Sequence, residues 1–356
     1  MTNVINEFKH VEMPQLLSLG KNMISELPQI LETLKIGKNC VLITDKFLED
    51  KFARQAKEIL EISGVHVTLS TIDDSTLAEV DKQLTIIDET KSEFVIGMGG
   101  GKPIDIAKLS SFKLGLRFIS VPTIASHDGI ASSRASLKGV NERHSIAARP
   151  PIAVVADTEI LDKSPYRFTA AGCGDILAKK TAIKDWLLAY RLKYEPISPT
   201  AISLSEMTVH SITENASIIR SKAEGYSRIV INALLSSSLA MCVAGSSRPG
   251  SGSEHMFSHA LDEIAEKPAL HGEQTALGSI IMSYLHEGEK GSQKQIDTMK
   301  IIGLPVTAKE LGLKDEEVIK ALEIAHKIRQ RFTILGSDGL THEAAINAAL
   351  KTGVIR

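Results

Sequence analysis

The sequence predicts an α/β domain with a parallel sheet over residues 1–164, followed by an all-α domain over residues 165–356. Three observations carry this expectation. Short β-branched runs alternate with amphipathic stretches through the first 160 residues, the pattern of strands buried between helices on both faces of a parallel sheet. Beyond about residue 165 the apolar spacing turns helical and stays so. At 356 residues the chain exceeds what one ordinary core fills, so two domains are the natural division. The first half is therefore Rossmann-like in kind.

Taken in order, "NCVLITD" (39–45), "VHVTLSTI" (65–72), "EFVIGMG" (93–99), "LRFISVP" (116–122) and "IAVVAD" (152–157) read as strands. Between the first two lies "KFLEDKFARQAKEILEISG", with apolar residues at helical spacing and a Gly after the last turn. In the second half "AISLSEMTVHSITENASIIRSKA", "GYSRIVINALLSSSLAMCVAG", "DEEVIKALEIAHKIRQRF" and "THEAAINAALKTG" read as helices, separated by Pro and Gly at "EPISP", "RPGSGS" and "GLP".

Composition narrows the function. A net charge of −2 argues against a dedicated binder of nucleic acid or anionic membrane. Cys40, Cys173 and Cys242 form neither a CxxC pair nor an even disulfide set, which suits a reducing cytoplasm. The start, "MTNVINEFKHVEMPQ", has no apolar stretch behind basic residues, so no signal peptide is expected. No run of about 18 apolar residues occurs, so no membrane insertion is expected.

"EFVIGMGGGKPIDIAK" sets four glycines within five positions between a strand and a helix. Glycine lets the backbone approach a phosphate, and the helix start offers free N–H groups. The spacing is neither GxGxxG nor a P-loop, because Pro103 follows Lys102. Phosphate binding stands against a bare tight turn, and the glycine density favours the former. Pro103 fits a first helical turn, and Asp105 would point from that turn to whatever lies above the loop. After the strand ending at Pro122 comes "TIASHDGIASSRAS", at the sheet edge where such folds bind ligands. There Thr123, Ser126 and Ser132 can bond a cofactor and Asp128 a substrate hydroxyl; the alternative is an ordinary solvated loop.

Metal chemistry is suggested by "AAGCGDILAKKTA", "SGSEHMFSHALD" and "KPALHGEQTALG". Asp175 follows a Gly–Cys–Gly stretch and reads as the start of a helix, where a capping carboxylate is the plain alternative. His255 and His259 lie four apart on one helical face. With His271 they make four candidates for three places around a divalent ion, an open catalytic set of carboxylate and imidazoles. One of the paired histidines can take the metal while the other faces substrate. Cys173 reads as a small packed residue rather than a soft ligand. Arg248, in a Gly- and Ser-rich loop just before His255, reads equally as an anion contact or a solvated charge.

Together "GMGGGKPIDIAK", "PTIASHDGIASSRAS", "AAGCGDILAKKTAIKDW", "SGSEHMFSHALD" and "LHGEQTALG" resemble the sn-glycerol-1-phosphate dehydrogenases of archaea. These belong with the glycerol dehydrogenases, iron-type alcohol dehydrogenases and dehydroquinate synthases. The motifs occur in family order over about residues 97–280. The glycine loop is common to the whole group, whereas "GCGDILAK" and "SGSEHMFSHALD" point to the glycerol-1-phosphate branch. The resemblance implies a dehydroquinate synthase-like fold, a zinc ion, NAD(H) or NADP(H), and reduction of dihydroxyacetone phosphate to sn-glycerol 1-phosphate for membrane phospholipids. It implies cofactor contacts from Gly99, Gly100, Gly101, Lys102, Pro103, Ile104 and Asp105, from Thr123, Ile124, Ala125 and Ser126, and from Ser132. It assigns Asp128, Asp175 and His259 to substrate, with Asp175 and His259 catalytic, and Asp175, His255 and His271 to the metal. A homo-oligomer is expected. Rival readings are a glycerol dehydrogenase acting on unphosphorylated substrate, a dehydroquinate synthase-like carbocycle former, and a nucleotide-binding regulator with a dead site. Asp45, ending "VLITD", would disfavour a 2′-phosphate, but the family as a whole accepts both dinucleotides.

Overall fold

A computed structural model describes residues 11–139 and 146–356. The leader reading of the N-terminus falls partly on residues 1–10, outside the described residues. The chain forms two compact units. Among the described residues, one comprises residues 12–125, 129–139 and 146–165; the other joins Val11 and residues 126–128 to residues 166–356.

The first unit is built on a six-stranded sheet, all of whose pairs are parallel. Its strands are Leu16–Gly20 (β1), Asn39–Asp45 (β2), His66–Ile72 (β3), Phe94–Gly99 (β4), Arg117–Pro122 (β5) and Ala153–Asp157 (β6), in the order β1-β6-β5-β4-β2-β3. All five expected strands are present, within one residue at their starts. β1 is the addition, pairing Leu16 with Ala153 and Gly20 with Asp157. Its "LLSLG" has no β-branched residue, so propensity gave no sign of it. A short antiparallel ribbon, Arg134–Ala135 with Ile146–Ala147, is likewise too brief for periodicity to show.

β2 to β6 follow a doubly wound order, and β3 and β4 lie on opposite sides of β2. The connections therefore diverge between β2 and β4, and the carboxyl ends there form the crevice where such sheets take ligands. The glycine loop leaves the end of β4 and opens helix Gly101–Lys113 (α1). Asp45, at the end of β2, accepts the Leu48 N–H at 3.0 Å and so caps the next helix. Buried Leu42, Phe94, Ile96, Ile119 and Val155 meet Leu27, Leu31 and Leu60 in one core cluster.

In the second unit every element among the described residues from Tyr166 onward is a helix. Its principal elements here are Tyr166–Lys193 (α2), Tyr226–Ala244 (α3), Ser253–Ile264 (α4) and His271–Glu287 (α5). Three boundaries differ from expectation. The helix foreseen over 201–223 breaks at Asn215, giving Pro199–Glu214 and Ala216–Ser221. The one foreseen over 315–332 ends at Ile324, followed by a 3₁₀ turn, Ala325–Lys327, and then irregular chain. The third is the Gly–Cys–Gly stretch, expected as a turn before a helix start; instead the 28-residue α2 runs straight through it. α3 is long and apolar enough to cross a membrane by length and composition, but 61% of its most apolar window is buried inside the protein, as befits a core helix.

Gly172–Cys173–Gly174 is a contact surface. A Cβ on Gly174 would collide with the carbonyl oxygen of Gly272, and one on Gly272 with that of Ala171. Both partners are backbone, which cannot swing aside. Here glycine serves the close crossing of α2 and α5, with no left-handed backbone involved. Gly272→Ala should therefore destabilise the helical unit by about 1–3 kcal/mol or more, the ordinary cost of overpacking. A thermal unfolding midpoint equal to the wild type would contradict this account.

Candidate active site

In the sheet unit, the glycine loop shows why small residues are needed. Gly99 has φ +149°, a conformation L side chains rarely adopt, and a Cβ there would stand 2.8 Å from the Pro103 ring. A Cβ at Gly97 would be 2.7 Å from Ala107, so α1 lies hard against β4. No side chain caps the first turn of α1, which leaves its N–H groups for an anion. Thr123 ties the next loop to this one through its N–H to the Gly99 carbonyl, at 3.0 Å. Thr123 and Ala125 are buried and Ile124 half-buried.

Two charged residues of this loop have other engagements. Lys102 is half exposed and pairs with Asp74 at 2.7 Å; Lys138 reaches the same carboxylate at 2.9 Å. Burial works against the Asp74 charge, but the two ammoniums outweigh it and hold the carboxyl at about 2. Asp105 turns inward rather than up from the loop. It binds buried Lys108 at 2.9 Å and accepts the Ser136 N–H at 3.0 Å. Lys108 also donates to the carbonyls of Gly129 and Arg134, at 2.6 and 2.7 Å. This buried pair fastens the segment carrying Ser132, whose hydroxyl meets the Arg134 backbone.

In the helical unit, three helices deliver Asp175 (α2), His255 (α4) and His271 (α5). Their candidate ligand atoms all lie within 4.8 Å of one another. The His255 Nε2 stands 3.5 Å from Asp175 Oδ1. The His255 and His271 ring centres are 4.9 Å apart. His259 stacks on His271 at 5.5 Å between centres, its Nδ1 facing Asp262 at 3.5 Å. It borders the trio without entering it. Ser126, half-buried, and Asp128 belong to this unit as well.

A buried charge network supports the trio. Lys179, fully enclosed, reaches Asp128 at 2.8 Å and Asp175 at 3.4 Å. Asp128 donates its N–H to Asp175 at 2.9 Å and accepts the Ser237 hydroxyl at 2.7 Å, while Ser238 donates to its carbonyl. Burial opposes ionisation of Asp175, yet Lys179 and His255 outweigh it and hold the carboxyl well below the usual range. Burial likewise opposes the Lys179 charge, and Asp128 and Asp175 overcome it. Burial, joined by the charge of His255, pushes His271 down. It also pushes His259 down.

Glu254 is the residue that sequence reasoning missed. Its Oε1 lies 2.9 Å from His255 Nδ1, and it accepts the Gly252 N–H at 2.7 Å and the Thr181 hydroxyl at 3.0 Å. An ionised carboxylate only accepts, so Nδ1 carries a proton, and Nε2, the nitrogen facing Asp175, is the one left to meet an ion. Carboxylate–histidine pairs of this kind orient metal ligands. Adjacent helical residues do not normally face each other, so spacing gave no signal.

Arg248 is buried, neither a solvated charge nor an open anion contact. It clamps Glu195 with two N–H donors and the Phe332 carbonyl with a third, at 2.9 Å. The neighbouring helix-start N–H groups are also taken: Ser253 gives its own to Asp185 at 2.7 Å, and Gly252 to Glu254. Cys173 is buried, its thiol pushed up by that burial, outside the trio.

The iron-containing alcohol dehydrogenase family matches residues 18–165. Over nearly the whole chain, the glycerol-1-phosphate dehydrogenase (NAD(P)+) of Pyrococcus horikoshii is 47% identical across 350 residues, 97% of this chain and 99% of the relative. That of Methanosarcina acetivorans is 46% identical, covering 98% of each chain. The chain belongs to the glycerol-1-phosphate dehydrogenase family. Among solved structures, the Schizosaccharomyces pombe glycerol dehydrogenase superposes with TM-score 0.80 at 19% identity, over 98% of this chain and 92% of that one. A probable glycerol dehydrogenase from Sinorhizobium meliloti gives 0.79 at 21% identity, over 97% and 98%. Likenesses at that identity establish the fold.

Lys179→Met should strand two buried carboxylates, Asp128 and Asp175, without their cation. Breaking a buried pair this way costs about 3–5 kcal/mol. Stability at pH 7 should fall, and because the buried Asp175 carboxyl, no longer held ionised by Lys179, is then freer to protonate, the deficit should shrink as the pH drops toward 4. Denaturant unfolding at the two pH values reads this out; a constant difference would refute it.

Proposed function

We propose that the protein reduces dihydroxyacetone phosphate to sn-glycerol 1-phosphate with NADH or NADPH and a bound zinc ion, supplying the glycerophosphate backbone of archaeal membrane phospholipids. The observation that carries this is the convergence of Asp175, His255 and His271 in a chain 47% identical over 350 residues to a glycerol-1-phosphate dehydrogenase.

The donor set fits the metal: one carboxylate oxygen and two imidazole nitrogens, three protein ligands rather than four, is the make-up of catalytic zinc sites. Asp175, His255 and His271 would hold the ion, with Glu254 fixing the His255 tautomer. When bound, the ion supplies Lewis-acid polarisation of the ketone and the reduced nicotinamide supplies the hydride. Gly99, Gly100 and Gly101 with the first turn of α1 receive the dinucleotide pyrophosphate, and Lys102 to Asp105, Thr123 to Ser126 and Ser132 border it. Asp128, oriented by Lys179 and Ser237, and Asp175 contact the substrate. His259, with Asp262 at its Nδ1, contacts the substrate, and the proton that completes the new hydroxyl comes from solvent by way of His259 or directly from water. This reading is of a cytoplasmic homo-oligomer that enters no membrane and binds no nucleic acid; three buried free cysteines suit a reducing compartment.

The purified enzyme should turn over dihydroxyacetone phosphate with NADH or NADPH, far faster than unphosphorylated dihydroxyacetone, and release the sn-1 enantiomer. A stereospecific coupled assay decides the configuration. An sn-3 product would overturn the assignment, and equal rates on both ketones would favour a glycerol dehydrogenase. For the metal, alanine at Asp175, His255 or His271 should remove zinc and activity together. His259→Ala should keep most of its zinc and lose turnover. Elemental analysis showing His271→Ala fully loaded would refute this ligand set.

A further inference from the structure

Arg248, the arginine that precedes the histidine helix, is saturated by Glu195. Two others are placed differently. Arg331 donates to the Ser251 carbonyl and, at 2.9 Å, to the Ser247 hydroxyl. Both acceptors are neutral, so neither bond meets a carboxylate. Arg329 donates to the Ser251 hydroxyl at 3.4 Å. Two guanidiniums thus meet at one serine, four positions before His255.

The break in the helix foreseen over 315–332 makes this convergence. Residues two apart on a helix point to different sides. In the irregular chain after Lys327, the Arg331 N–H instead bonds the Arg329 carbonyl at 2.8 Å, and both side chains reach Ser251. The loop that the cluster binds adjoins the site, since Lys179, which pairs with Asp128 and Asp175, also donates to the carbonyl of Gly250, next to Ser251, at 3.4 Å.

We propose that Arg331, with Arg329 beside it, is the subsite for the phosphate of the substrate ketone, a role that rests on the reading of that substrate as dihydroxyacetone phosphate. Burial, reinforced by repulsion from Arg329 and Arg248, holds the Arg331 guanidinium down at about 9. A half-buried cation whose hydrogen bonds go to neutral oxygens is left without a charge partner at its own donors, and a dianionic phosphate supplies one through paired N–H donors. One methylene and one ester oxygen separate that phosphorus from the ketone carbon, so phosphate and carbonyl are held by adjoining parts of one site.

The test compares wild type, Arg331→Gln, Arg331→Lys and Arg329→Gln as zinc-loaded enzymes. The ratio of kcat/KM for dihydroxyacetone phosphate to that for dihydroxyacetone should fall about 10- to 100-fold in Arg331→Gln, the effect of a charged hydrogen bond. It should fall in the same direction in Arg329→Gln and recover partly in Arg331→Lys. Inorganic phosphate binding, measured by calorimetry, should weaken in parallel while zinc content stays at the wild-type level. Should Arg331→Gln fail to fold, Arg329→Gln carries the test, its serine bond being long. Variants that keep both the ratio and the phosphate affinity, or lose both substrates equally, would overturn the subsite alone. A wild type that does not discriminate between the ketones would instead overturn the substrate reading, and the subsite with it.

Discussion

The candidate site depends on one steric fact: α2 and α5 cross where neither can carry a Cβ. Gly174 and Gly272 each abut the other helix's backbone. Asp175 follows the first and His271 precedes the second, so the crossing that excludes side chains at one position joins two of the three convergent ligand atoms at the next. α4 completes the set with His255, and Gln274 holds it there, its amide bonding Ser258 and Asp262 on α4 at 2.9–3.1 Å. Helix packing sets the ligand geometry, and a one-methyl change far smaller than a ligand deletion is enough to disturb it.

Placing Asp128, Asp175 and Glu254 together, all buried, would be untenable without compensation. Lys179 answers the first two and His255 links the second to the third. This leaves Asp175 ionised and His271 neutral, the protonation states that metal ligation requires. The neutralising groups are hydrogen-bonded in turn, Lys179 to the Gly250 carbonyl and Glu254 to Gly252 and Thr181. A network satisfied at each of these members orients its ligands more rigidly than isolated pairs would.

The parts of this arrangement that were legible in the sequence are those written in periodicity or in rare residue types. β-branched runs marked five of six sheet strands, and the conjunction of Asp175, His255, His259 and His271 marked the site. What was hidden depended on context. Glycine serves both positive φ and close approach, so Gly–Cys–Gly looked like a turn although it is the crossing surface within α2. β1 is a leucine-rich strand whose identity comes from pairing with β6. Glu254 acts on its sequence neighbour, a relation that helical spacing does not encode. Asp105 and Arg248 carry the charges expected of ligand contacts, yet Lys108 and Glu195 occupy them, and no local pattern announces a partner 53 residues away.

The two anion sites argued for this chain divide the same tools in opposite ways. Around the glycine loop the cations are matched: Lys102 and Lys138 by Asp74, and Lys108 by Asp105. Attraction for a pyrophosphate falls there to uncapped backbone N–H groups and the helix dipole, which act at short range and need close approach. Around the 247–251 loop the N–H groups are matched instead, Ser253 by Asp185 and Gly252 by Glu254. Positive charge remains at Arg331, which among the described residues bonds only to neutral serine oxygens. A small phosphate ester offers little surface beyond its charge, so a surplus guanidinium is the donor that can tell it from the same ketone without phosphate. A dinucleotide offers a long surface for shape and backbone bonds, and glycine is the residue that lets that surface come near.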